Sequence, residues 1–108
     1  MGYDVSLKAD LGGAEPVAVG GLDANYTYNV APMFSAAIGE TPGGWDGVSA
    51  ETVANRCDMI LEAFAADPEK FRAMNPANGW GSFDGARSFI TTIRDECRRA
   101  PRAIVQVS

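Results

Sequence analysis

Two helix patterns constrain the fold of this chain more than any other feature of the sequence. Apolar residues recur every three or four positions over about 50 to 66 and again over about 83 to 99, as they do on the buried face of an amphipathic helix. A serine in the position of a capping residue precedes each stretch, Ser49 and Ser82. Because two such helices present apolar faces that must be covered, the sequence predicts that other elements pack against them.

Strand patterns lie on both sides of these helices. Residues 3 to 9 alternate between apolar and polar side chains, and residues 103 to 107 form a dense apolar run that favours a central strand. Further strands are predicted at 16 to 19 and at 25 to 30. The order predicts an α+β fold with one domain over residues 1 to 108: a small, mostly antiparallel sheet of N-terminal strands and the C-terminal strand, packed against three to four helices.

Two shorter helices complete this prediction. The first begins around Pro32, a residue suited to the first turn of a helix, and ends at Gly39. Asn29 stands where it can cap that helix. The second follows Pro68 and stops before Pro76.

Charge and cysteine content narrow the classes of partner. With 9 basic and 14 acidic residues the formal net charge is −5, so the overall field repels phosphate backbones and no nucleic-acid polymer is expected as a partner. No apolar stretch reaches the roughly 20 residues that cross a bilayer, and no secretory signal is recognisable, so we expect a cytoplasmic location without a membrane partner. Cys57 and Cys97 are expected to be reduced core thiols. Homo-oligomerisation stays open.

The reactive side chains favour a binding protein over an enzyme. The chain has no histidine, which removes the usual general base and the commonest metal ligand. We therefore expect no catalytic residue, no metal and no cofactor. One enzymatic alternative stays open, in which Asp84 and Arg87 act with the neighbouring backbone amides.

Polar residues at two places form a candidate ligand site. The strand predicted at 25 to 30 directs three neutral side chains to one face, although a solvated sheet face accounts for them as well. The loop before the last helix leads to backbone N–H groups that suit a carboxylate or phosphate, with ordinary capping as the structural alternative. The predicted ligand-binding residues are Asn25, Thr27, Asn29, Asn78, Gly79, Trp80, Gly81, Ser82 and Arg87.

Four segments of the sequence resemble a family of small proteins found in bacteriophages, notably those of actinobacteria, and in bacterial genomes. They are YDVSLKADLGG, NYTYNVAPM, FRAMNPANGWGSFDGA and PRAIVQVS. The most specific motifs are Asn-x-Thr-x-Asn at 25 to 29 and Asn-Pro-x-Asn-Gly-Trp-Gly at 75 to 81. The resemblance implies a phage or prophage origin and a cytoplasmic setting in an infected bacterium, and it brings no activity with it.

Two functions are consistent with these features. The first is a non-enzymatic accessory protein of a phage that captures a small polar or anionic ligand, such as a nucleotide-like signal, to counter host defence. The second is a protein-interaction module that binds and modulates a bacterial host protein. Aromatic walls for either site are available if they border one cleft, although core packing is the simpler expectation for at least two of Tyr26, Tyr28, Trp45 and Trp80.

Overall fold

The computed structural model describes residues 2–9, 17–18 and 22–108, with side chains for all of these except 17–18. The strands are β1 (Gly2–Ala9), β2 (Val17–Ala18), β3 (Ala24–Thr27) and β4 (Ile104–Val107). The helices are α1 (Ala31–Ile38), α2 (Ala50–Ala66), α3 (Pro68–Arg72) and α4 (Phe83–Arg99). Short 3₁₀ turns occupy Tyr28–Val30 and Pro42–Trp45. The predicted α+β class is confirmed.

Strand β1 organises the sheet, because β2, β3 and β4 all pair with it, and all are antiparallel to it. Val5 illustrates its central position, with Ala24 of β3 as one partner and Val107 of β4 as the other. The predicted alternation is confirmed from residue 3 to residue 7, since the inner-face side chains there are at most 4% exposed: Tyr3, Val5 and Leu7. Ala9, also expected on that face, is only partly buried. The sheet thus has one face in the core, which is the face that the helices cover.

The last strand lies beside β1 rather than at the centre of the sheet. Among the strands that the structure describes, β4 pairs with β1 alone, so the predicted central position is wrong. Its outer edge is covered by the loop before α2. The Asp46 carboxylate accepts a hydrogen bond from the Val107 N–H at 3.0 Å, and Gly47 and Val48 bond both backbone groups of Val105 at 2.8 Å. A covered edge allows an outer strand to be as apolar as a central one.

Helices α2 and α4 form most of the layer on the inner face of the sheet. Their bounds agree with the predicted ranges, and both predicted caps are present: Ser49 accepts from the Thr52 N–H and Ser82 from the Gly85 N–H. Their apolar stripes are buried against each other and against β1. Burial of each large apolar side chain contributes about 1.5 to 3 kcal/mol, so this interface holds the two layers together.

The two cysteines lie in these packed helices. Cys57 of α2 and Cys97 of α4 are free thiols without exposed surface, as expected for core thiols. Burial raises the pKa of both thiols, that of Cys97 to about 11, because a thiolate loses its hydration in an apolar setting.

Alkaline pH should therefore destabilise the protein through these thiols. The folded protein keeps the proton on the Cys97 thiol up to about pH 11, whereas the unfolded chain loses it around the ordinary pKa of 9.0. The free energy of unfolding therefore falls as the pH rises between these two values. Cys97→Ala should reduce the decline in unfolding free energy by up to about 1.4 kcal/mol per pH unit. Urea denaturation of both proteins across the window measures the two slopes, and equal slopes would contradict the assignment.

Candidate functional site

The hydroxyl group of Tyr26 lies at the beginning of α4. It accepts a hydrogen bond from the Ser82 N–H at 2.9 Å, and the tyrosine ring stacks on Phe89 with 5.8 Å between ring centroids. A Cβ atom at Gly85 would lie 1.9 Å from this hydroxyl. Because glycine has no side chain, position 85 leaves room for the Tyr26 side chain, which joins β3 to α4.

Other backbone N–H groups at the start of α4 donate to side chains of the protein itself. The Phe83 N–H donates to the side-chain oxygen of Asn75 at 2.8 Å, and the Gly85 N–H donates to the Ser82 hydroxyl at 3.1 Å. Together with the bond to Tyr26, these contacts satisfy groups that a helix beginning otherwise leaves open. The prediction of free N–H groups here for a carboxylate or phosphate is therefore wrong for Ser82, Phe83 and Gly85, whose N–H groups have internal acceptors.

Arg87 also has partners within the protein. Its guanidinium lies 3.2 Å from the Asp84 carboxylate and 5.4 Å from the centroid of the Phe83 ring. Asp84 is shared with Arg72 at 3.4 Å. The positive charge of Arg87, which the sequence suggested for an anionic ligand, is thus balanced by Asp84 one turn earlier in the same helix.

Strand β3 ends at Thr27, which interrupts the predicted row of three polar side chains. The Thr27 hydroxyl accepts from the Asn29 N–H at 3.2 Å and so begins the 3₁₀ turn Tyr28–Val30. The strand prediction through residue 30 is wrong because this local cap competes with sheet pairing. Asn29 also does not cap α1, whose N-cap residue is Val30. Asn25 and Thr27 remain on the strand, and Asn29 lies exposed in the turn.

The structure brings Asn25 and Thr27 together with Trp80 and Gly81. They line one cleft of about 410 Å³, which we call the Trp80 cleft, with Gly2, Asp4 and Tyr26. The Trp80 side chain is 69% exposed, more than any other large apolar side chain that the structure describes. A bulky indole ring therefore stands in solvent beside neutral polar groups.

One hydrogen bond and two glycines set the path of the Trp80 backbone beside β3. The side-chain oxygen of Asn78 accepts from the Trp80 N–H at 2.9 Å, and Gly79 turns the chain with φ +77°. Gly81 has φ +99°, and a Cβ atom there would lie 2.6 Å from the Thr27 methyl carbon. The glycines of this loop are therefore needed for its shape and for its close approach to the strand.

A second cleft continues along the same strand. It measures about 460 Å³, lies between β3 and α4, and shares Asn25 and Tyr26 with the Trp80 cleft; we call it the helix cleft. Each cleft contains one acidic residue, Asp4 or Asp23, and none of the basic residues that the structure describes lines either cleft. This chemistry favours a neutral or cationic ligand over an anion.

Sequence reasoning missed two residues that shape this site, Tyr26 as the acceptor at α4 and Asn75 as a cap. Of the other aromatic residues, Trp45 is in the core at 2% exposure, and Tyr28 packs edge-on against Tyr3 with 4.6 Å between ring centroids. Over the described residues, no three cysteine or acidic side chains are arranged to hold a metal ion. Nor does any helix in those ranges have the length and apolar character needed to cross a membrane.

Comparisons with known proteins assign no family to the chain. No family model matches it, and no curated protein or solved structure is significantly similar to it.

Gly85→Ala should destabilise the protein, although alanine is the better helix former. The new methyl group would overlap the Tyr26 hydroxyl, and repacking should lower the unfolding free energy by about 1 to 3 kcal/mol. Gly44→Ala is the matched control, because nothing lies within 4 Å of a Cβ atom there. Urea denaturation compares the two variants, and equal stability would contradict the close packing of Tyr26 on α4.

Proposed function

We propose that the protein is a non-enzymatic accessory protein of a phage that acts by binding a bacterial host protein at the Trp80 cleft. The exposure of Trp80, at 69%, is the observation that carries the proposal. Tryptophan offers a large contact area at a low cost in side-chain entropy, and it is enriched among the residues that dominate binding energy at protein interfaces. The phage origin that the sequence resemblance implies makes bacterial proteins the partners to test.

The loop around Trp80 supports this proposal because its geometry is set without a partner. The Trp80 and Ser82 N–H groups have acceptors in Asn78 and Tyr26, and Gly81 lies against Thr27. Pre-organisation of this kind reduces the entropy lost on binding. A connector between two helices has no need to hold an indole ring in solvent, whereas a binding anchor does.

A small polar ligand is the second candidate. The cleft volume of about 410 Å³ is typical of small-molecule sites, and Asn25 and Thr27 offer donors and acceptors. Internal capping at the start of α4 and the pairing of Arg87 with Asp84 count against a nucleotide-like anion. A captured small molecule would therefore be neutral or cationic, with a flat or apolar face for the indole ring.

Trp80→Ala should weaken partner binding at least about thirtyfold and leave the stability of the fold almost unchanged. Loss of an interface anchor costs about 2 kcal/mol or more, roughly a thirtyfold weaker affinity, whereas an exposed side chain contributes little to folding. Met59→Ala is the matched control, since Met59 on α2 is 47% exposed and apolar. Tagged protein would capture candidates from host lysate, and calorimetry would then measure each purified candidate with both variants.

Equal affinity of Trp80→Ala and the unmodified protein for the purified partner would contradict the proposal. Thermal stabilisation by a small neutral compound, lost in Trp80→Ala and unaccompanied by any specific protein partner, would favour the second candidate instead.

A further inference from the structure

The hydrogen bonds that β1 makes determine which way the backbone N–H and C=O groups of β3 point. In an antiparallel pair, alternate residues exchange both of their backbone hydrogen bonds with the same neighbouring strand. Asp4 exchanges both bonds with Ser108, at 3.1 and 3.0 Å, so its groups point away from β3. Tyr3 and Val5 must therefore supply the bonds from β1 to β3.

The outer edge of β3 consequently carries backbone groups that point away from the sheet. Tyr26 and Ala24 are the partners of Tyr3 and Val5, so their backbone groups point towards β1. The N–H and C=O groups of Asn25 and the N–H group of Thr27 therefore point away from β1. Among the described residues no hydrogen-bond partner is found for the Asn25 N–H, the Asn25 carbonyl or the Thr27 N–H. An edge of this kind is a template for another strand.

Both clefts border this edge and meet at two residues, so we call them together the groove. The helix cleft lies between β3 and α4, the Trp80 cleft lies at the Thr27 end, and Asn25 and Tyr26 belong to both. Successive side chains of an extended segment point in opposite directions, so every second one would enter this groove while its backbone lay beside Asn25.

We infer that an extended segment of the partner adds to the sheet as a strand beside β3, with Trp80 at one end. The inference rests on the proposed function and specifies its geometry. In this binding mode, backbone hydrogen bonds supply affinity and pockets for alternate side chains supply specificity.

The negative charge of the groove favours a basic segment of a partner over a second copy of this chain. Asp23 and Asp4 line the groove, without a basic side chain from the described residues. Lysine or arginine in the added strand would attract these carboxylates and the face of Trp80. A second β3 would instead bring another Asp23 and a chain of net charge −5 to the same edge.

Two substitutions at position 25 test backbone pairing and side-chain recognition separately. The Asn25 N–H points outward, so Asn25→Pro removes an outward donor without breaking a bond to β1, as edge strands tolerate. Asn25→Ala removes the side chain and keeps the donor. The probe is a fluorescein-labelled octapeptide of alternating lysine and valine, and fluorescence anisotropy measures its affinity.

We expect Asn25→Pro to weaken probe binding at least about tenfold, and clearly more than Asn25→Ala, which removes the side chain alone. In amide NMR spectra of the unmodified protein, the signals of Asn25 and Thr27 should shift on addition of the probe. A probe with an N-methyl group on every residue has no backbone N–H left to donate the ladder bonds and should bind at least about tenfold more weakly. That comparison uses the unmodified protein and does not depend on how Asn25→Pro folds.

Equal losses in Asn25→Pro and Asn25→Ala would overturn strand addition, as would equal binding of a glutamate–valine octapeptide or of the methylated probe. Absence of saturable binding at millimolar probe, or a dimer in sedimentation that Asn25→Pro abolishes, would overturn it too. With the purified host partner, full affinity in Asn25→Pro but not in Trp80→Ala overturns strand addition and keeps the proposed function. Full affinity in both variants overturns both proposals.

Discussion

The hydrogen bond from the Ser82 N–H to the Tyr26 hydroxyl determines where the candidate site lies. It joins β3 to the beginning of α4 across 56 positions of sequence. A hydrogen bond at this part-buried position contributes about 0.5 to 1.5 kcal/mol, so Tyr26 both stabilises the helix start and fixes it on the strand. Since the ring fills the space above Gly85 and Gly81 lies against Thr27, Trp80 is held at the end of β3 with its indole ring outside the core.

The contacts that fix α4 also decide the chemistry of the surface. Capping uses the amide groups of Ser82, Phe83 and Gly85, and Asp84 balances Arg87. The features that suggested an anion in the sequence are therefore part of the fold. What faces solvent is an indole ring, neutral side chains, carboxylates and an outward strand edge, a combination suited to an extended basic segment.

Local signals made much of the fold predictable. Helices α2 and α4 begin and end where periodicity and serine caps place them. The strand prediction failed after Thr27 because alternation continues in the sequence while a hydroxyl cap turns the backbone. Trp45 and Trp80 both follow a glycine ahead of a capped helix, yet one is 2% and the other 69% exposed. That difference depends on long-range packing, such as the Tyr26 contact, which no local pattern contains.

Photo-crosslinking from position 80 in bacterial cells tests the proposed binding surface most directly. A photoreactive tryptophan analogue that keeps the indole ring and carries a diazirine would replace Trp80, and in a parallel protein it would replace Met59. We predict a specific host protein crosslinked from position 80 through a basic, extended segment, which mass spectrometry of the joined peptides would identify, and no such product from position 59. Specific products from position 59 with none from position 80, or none from either position, would contradict the assignment of the Trp80 cleft as the binding surface.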